Sequence, residues 1–152
     1  MREEIIKEAR LKISRYCSYR ERARIEIHNK LMSYGLTENE IESLIDELTN
    51  EGFLDDERYA KAYAGGKFRI KKWGKLKIRR ELKQKQISED IIKIALTEIE
   101  GQSYLETLES VAKKKFELLN ESNLYIKKSK VATFLVSKGY ESELVWGILN
   151  KL

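Results

Sequence analysis

Apolar residues return every three or four positions along nearly the whole of this 152-residue chain, and no proline interrupts them. Ile5, Ile6, Ala9, Ile13 and Tyr16 share one helical face, and Ile41, Leu44, Ile45 and Leu48 share another. Ile91, Ile92, Ala95, Leu96 and Ile99 repeat the spacing, as do Tyr104, Leu105, Leu108, Val111, Ala112 and Phe116, and finally Leu144, Val145, Ile148 and Leu149. This is the periodicity of amphipathic helices, and no stretch of similar length alternates as a half-buried strand would. An all-α chain is expected, with nine helices near 2–15, 18–34, 37–50, 55–70, 74–85, 88–100, 102–119, 125–138 and 141–151. Ser18 with Glu21 and Thr37 with Glu40 fit capping boxes, and Asp55 and Ser88 fit N-caps. The intervening loops are short, so successive helices should pack as neighbours.

Three segments share one layout: KLMSYGLTENEIESLI, ELKQKQISEDIIKIAL and FLVSKGYESELVWGIL. Leu31, Leu82 and Leu135 correspond, at separations of 51 and 53 residues. Gly35, Gln86 and Gly139 follow four places on, then Leu36, Ile87 and Tyr140, then Ile41, Ile92 and Val145 on the next helix. A glycine just past a helix, followed by an apolar residue, suits a helix stop in which the glycine turns left-handed and its successor folds back on the last turn. Gln86 departs from that pattern, and a positive φ there carries a cost. Any three amphipathic helix pairs align loosely, so the alternative is chance. If the repeat is real, three tandem three-helix units span 1–51, 52–100 and 101–152, each too small to bury its own faces without a neighbour. The expected body is elongated and curved, with a radius of gyration above the roughly 15 Å of a compact chain of this length.

Charge is sorted along the chain. From Thr37 to Ala60 there are nine acids and one base, a balance of −8, whereas from Lys61 to Gln86 there are eleven bases and one acid, a balance of +10. So dense a cationic run is tolerated when salt screens it or an anionic partner neutralises it. Tyr63, Phe68 and Trp73 are interleaved with it. Basic residues around exposed aromatics suit a phosphate backbone with unstacked bases, and the bland alternative is a solvated face with its rings turned inward. Tyr63 and Phe68 are expected in the core, on one stripe with Tyr59, Ala60 and Ala64. Trp73 stays open between the two readings.

Several classes of function have no residues to support them. One Cys leaves no disulfide framework, and no Walker loop, dinucleotide fingerprint, HExxH or zinc spacing is present. No cofactor or metal is expected, and Cys17 and His28 are assigned structural roles. Asp55 and Asp56 resemble an acid–base pair, but carboxylates at a helix start cap free N–H groups and meet the positive end of the dipole. No enzyme is indicated. The start MREEIIKEAR lacks the apolar core of a secretion signal, and no apolar run approaches a membrane span of roughly 18 residues or more. A cytoplasmic, soluble, monomeric protein that does not engage membranes is expected.

The stretch from Gly52 to Ser88, GFLDDERYAKAYAGGKFRIKKWGKLKIRRELKQKQIS, closely resembles the RecX family, bacterial regulators of the RecA recombinase. The residues that carry the likeness are Gly52, Phe53, Leu54, Asp55, Asp56, Arg58, Tyr59 and Ala60, then Gly74, then Glu81, Leu82, Lys85 and Ile87. Gln86 stands where the family usually has Gly. Tyr16–Leu36 and Lys138–Leu149 look like the family's first and last repeats, and KFRIKKWGKLKIRREL looks like its Bacteroidetes branch. The resemblance implies tandem three-helix repeats lying in the groove of a RecA–DNA filament. It also implies inhibition of RecA filament extension, ATP hydrolysis, strand exchange and co-protease activity, and hence a role in DNA repair, recombination and the SOS response.

On that reading Lys67, Arg69, Lys71, Lys72, Trp73, Lys75, Lys77, Arg79 and Arg80 face phosphate or acidic RecA surface, and Asp46, Glu47, Asp56 and Glu57 meet basic RecA surface. Single- or double-stranded DNA is an expected partner, bound weakly without RecA. Two rivals remain: a three-helix DNA-binding module acting without RecA, and an adaptor for an acidic protein.

Overall fold

The computed structural model describes residues 1–152 and contains helices and no strands. The helices are α1 (Arg2–Tyr19), α2 (Arg24–Ser33), α3 (Glu38–Asn50), α4 (Asp56–Gly66), α5 (Lys75–Gln84), α6 (Glu89–Thr97), α7 (Gly101–Leu118), α8 (Leu124–Ser137) and α9 (Ser142–Leu149). Helix α4 runs on into a five-residue π turn, Lys67–Lys71, which ends at Lys72 in the left-handed conformation, with φ 59°. The accessible surface is 9490 Å². A compact monomer of this mass exposes roughly 8,000 Å², so the helices form an extended body.

The helix stops repeat as the sequence pattern predicts. Gly35, Gln86 and Gly139 all have positive φ, of 82°, 61° and 101°. In the second and third copies the next N–H folds back to the aligned leucine, Ile87 to the Leu82 carbonyl at 3.1 Å and Tyr140 to the Leu135 carbonyl at 3.2 Å. Leu36, Ile87 and Tyr140 are buried by this turn. Gln86 holds the glycine conformation without being glycine, and the repeat therefore survives its one irregular copy.

One boundary departs from expectation. Helix α1 continues through Ser18 to Tyr19, and α2 starts only at Arg24. Ser18 does not cap: its hydroxyl donates to the Ser14 carbonyl at 2.8 Å, an alternative that serine has inside any helix. Glu21 is not the other half of a box either, because it pairs with Arg58 at 2.6 Å. The end of α1 is closed instead by Arg22, whose Nε donates to the Tyr16 carbonyl at 2.9 Å and whose guanidinium lies 3.7 Å from the Tyr16 ring centre. Thr37, Asp55 and Ser88 cap their helices as expected.

The core is divided unevenly. The first helix triplet has its own cluster of 10 buried residues, from Ala9 to Leu54. The second and third share a single cluster of 20, whose only member from the first triplet is Ala23. Phe68 belongs to this larger cluster, and Tyr63 packs half-buried against it. The molecule is therefore a first triplet joined to a fused pair. Around that joint, Asp56 Oδ1 accepts from the Arg24 N–H at 3.1 Å, so a carboxylate on α4 caps the start of α2.

Candidate nucleic-acid interface

The second and third triplets interlock where α5 begins. Three free N–H groups at the start of α5 are satisfied from the third triplet: Gly74 N–H donates to the Lys138 carbonyl at 2.8 Å, Leu76 N–H to the Gly139 carbonyl at 3.0 Å, and Lys75 N–H to the Tyr104 hydroxyl at 2.9 Å. The Tyr104 hydroxyl in turn donates to Glu141. Carbonyls freed at the end of the π turn are met in the same way, Lys71 by Lys138 Nζ at 3.1 Å and Lys72 by the Tyr140 hydroxyl at 2.7 Å. Burial pushes the Tyr140 phenol up to about 12, and burial with the Glu141 hydrogen bond pushes Tyr104 higher still, so both stay protonated donors. Three donors in the first turn of α5, on Gly74, Lys75 and Leu76, are thus taken by the third triplet.

The basic run is displayed on this rigid junction. Of the eleven bases between Lys61 and Gln86, four have carboxylate partners within 4.0 Å: Lys61, Arg79, Lys83 and Lys85. The other seven, Lys67, Arg69, Lys71, Lys72, Lys75, Lys77 and Arg80, have no ion pair. Three of them lie over aromatic rings. Lys67 and Lys77 bracket Trp73, with Nζ at 5.0 and 4.4 Å from its ring, and Lys75 Nζ lies 4.8 Å from the Tyr104 ring. Trp73 is half-buried, packed on the core and edge-on to Tyr63 at 6.5 Å, so its ring serves as wall and as cation support together. Two apolar side chains stand exposed in the same run, Ile70 at 78% and Leu76 at 48%. They were not singled out from the sequence, although their place between bases on a helix was the available signal.

The acidic residues are mostly engaged inside the chain. Glu47 pairs with Arg10 at 2.9 Å and Glu57 with Lys61 at 3.2 Å, while Asp56 caps α2. Burial raises the Asp56 carboxyl above its usual range, against the pull of Arg24. Asp46 alone of the four is exposed with no ion pair.

Cys17 is half-buried, and burial raises its thiol, which disfavours a nucleophilic thiolate. His28 does not approach it; its Nε2 lies 3.0 Å from Glu38 Oε1. The ligand-type atoms of His28, Glu38 and Glu42 come within 4.8 Å of one another, a grouping not foreseen from the sequence. Glu42 is already paired to Arg24 at 2.7 Å, and His28 Nδ1 is buried without a partner. A metal on Nε2 would place a proton on Nδ1 with nothing to accept it, so the set suits a hydrogen bond from Nε2 to Glu38 better than a metal site.

Comparison with known proteins matches each triplet to a separate family description. Residues 9–48 match the first three-helix domain of RecX, residues 55–96 the second and residues 102–149 the third. A regulatory protein RecX of Chlorobium phaeobacteroides is 33% identical over 133 residues, covering 88% of this chain and 85% of that protein. The chain belongs to the RecX family. The regulatory protein RecX of Clostridium tetani is 38% identical over 129 residues, covering 84% of this chain but 59% of its own length. The chain thus spans about three fifths of the clostridial RecX proteins it matches. Among solved structures, a regulatory protein RecX superposes with a TM-score of 0.87 at 27% identity, over 96% of this chain and 72% of the other. RecX from Lactobacillus salivarius superposes with a TM-score of 0.90 at 24% identity, over 99% and 97% of the two chains, and shares the fold. No helix is long and apolar enough to cross a membrane.

Proposed function

We propose that this chain is a non-enzymatic regulator that docks on the RecA–DNA filament and inhibits RecA recombinase, ATPase and co-protease activities. The observation that carries this reading is the unpaired cationic face, seven bases without a carboxylate, held on a RecX junction too rigid to fold away. Those bases, with Trp73, Ile70 and Leu76, form a charged and partly apolar surface suited to a groove lined by protein and phosphate. The exposed Asp46 is the acid left for a basic counterpart, since the other three have internal partners. The protein acts as a cytoplasmic monomer whose body bridges neighbouring RecA subunits and opposes filament growth.

A plain DNA-binding module is the weaker reading. Helix-turn-helix proteins present the N-terminal residues of a recognition helix to base edges, and here the start of α5 is covered by the third triplet. The test is DNA-dependent RecA ATPase, measured with the protein as it stands and with the triple variant Lys71→Glu, Lys72→Glu, Lys75→Glu. Inhibition is expected from the first and not from the second, with helicity by circular dichroism unchanged. Inhibition that persists in the triple variant overturns the basic-face assignment.

A further inference from the structure

A second group of cations meets the first across the junction. A hollow of about 420 Å³ is lined by Lys72, Lys114, Lys115 and Lys138 together with Phe134 and Val111. The four lysines come from three places far apart in sequence, the end of the π turn, the C-terminal end of α7 and the cap of α8, and Lys72 Nζ donates to the Arg69 carbonyl at 2.8 Å. None of the four has a carboxylate within 4.0 Å, although Glu109 and Glu121 are close enough in sequence to pair with other lysines, Lys113 and Lys130. Lys115 and Lys138 are held over Phe134, with Nζ at 4.6 and 5.6 Å from the ring, and Lys138 is fixed further by the Lys71 carbonyl. Mutual repulsion is thus retained around an open space, with an aromatic ring positioning the charges.

We infer that this hollow binds backbone phosphates of single-stranded nucleic acid, extending the cationic face of the second triplet onto the third. The inference rests on the reading of that face as a nucleic-acid surface. Four lysines and no carboxylate line the hollow, and Lys72 belongs both to it and to the unpaired basic run, so one polyanionic backbone can cross the junction from one cationic surface to the other. Burial, with Lys77 adding to it, lowers the Lys138 ammonium below its usual value, and the attraction of an entering anion offsets that cost. Because Gly74 and Gly139 lock the two triplets together, the phosphate positions on either side of the junction have a fixed spacing.

The test is a nuclear magnetic resonance titration of the full chain with an eight-nucleotide thymidine oligomer at low salt. Backbone amides of Lys114, Lys115, Phe134 and Lys138 should shift along with those of the basic run. In parallel, Lys114→Gln with Lys115→Gln should reduce the slope of log K against log salt by about 1.4, two single-strand phosphate contacts at roughly 0.7 each. Shifts confined to Lys67–Arg80, or an unchanged slope, overturn the hollow and leave the RecA reading intact. No shift anywhere also overturns it, and RecA ATPase inhibition then decides the broader reading separately. Shifts seen instead with an acidic peptide and not with the oligomer would reassign the hollow to a protein partner.

Discussion

Gly74 and Gly139 meet backbone to backbone. A Cβ on Gly74 would stand 2.3 Å from the Gly139 carbonyl carbon, and one on Gly139 would stand 2.4 Å from Lys77 Cβ. Neither obstacle is the free end of a flexible side chain, so neither can step aside. Gly139 also needs its φ of 101°. Gly74→Ala should therefore destabilise the protein by about 1–3 kcal/mol, the usual range for forcing extra volume into a tight contact. Chemical denaturation measures this, and a loss below about 0.5 kcal/mol would mean that the junction yields. The variant should also lose RecA inhibition more than stability alone explains, because the cationic faces of the second and third triplets lose their common frame.

Gln86 gives a test of opposite sign. Its φ of 61° lies where a non-glycine residue is strained by roughly 1–2 kcal/mol, while glycine brings an unfolded-state entropy penalty of roughly 0.5–1 kcal/mol. Gln86→Gly should stabilise the chain by up to about 1 kcal/mol. Gln86→Val, whose branched side chain tolerates this region worst, should destabilise it by at least about 1 kcal/mol. Urea midpoints for the pair read both directions at once.

The acid limb of the stability curve has an identifiable contributor. The Arg2 guanidinium and the Thr37 N–H hold the Glu40 carboxyl at about 2, against an ordinary 4.5. A folded-state value below the unfolded one means that the unfolded chain binds more protons between these limits. The Glu40 contribution is then present above about pH 4.5 and is lost as pH falls toward 2. Glu40→Gln should flatten that part of the curve and leave the neutral plateau lower. An unchanged acid limb in the variant would show that Arg2 does not hold Glu40 in solution.

What the sequence made legible was local in origin. The stops at Gly35, Gln86 and Gly139 are decided within six residues, so a recurring leucine and an apolar successor reveal them even where glycine is missing. Thr37, Asp55 and Ser88 are read in the same way. Ser18 misleads for a local reason too, since a serine offers its hydroxyl equally to an N-cap and to a carbonyl four residues back. The basic run is contiguous and contains a single acid, Glu81, and seven of its eleven bases have no carboxylate partner. The junction could not be read, because Gly74 and Gly139 lie 65 positions apart and nothing in either neighbourhood announces the other. The lysine hollow is hidden for the same reason, as Lys72, Lys114, Lys115 and Lys138 gather only once the triplets are docked. The acidic block showed its charge but not its partners, which lie on α1, α2 and α4.

Only one buried residue of the first triplet, Ala23, enters the core of the fused pair, so polar contacts carry much of the joint between them. Across it run Ala23 and Ile25 packed on the larger core, the Arg58–Glu21 and Lys85–Glu26 pairs, and Asp56 capping α2. The ion pairs are near the surface and contribute little by themselves. Replacing a capping carboxylate by alanine costs about 0.5–2 kcal/mol, so Asp56→Ala should have that effect on the first triplet. Asp56→Asn keeps an acceptor oxygen and removes a charge whose burial is unfavourable, and it should be nearly neutral. Hydrogen exchange separates the two roles of the cap. In Asp56→Ala the Arg24 amide should lose protection while Ile78 and Leu82, buried in the shared core, keep theirs. If those core amides open together with Arg24, the two bodies unfold as one and the uneven division of the core does not divide the stability.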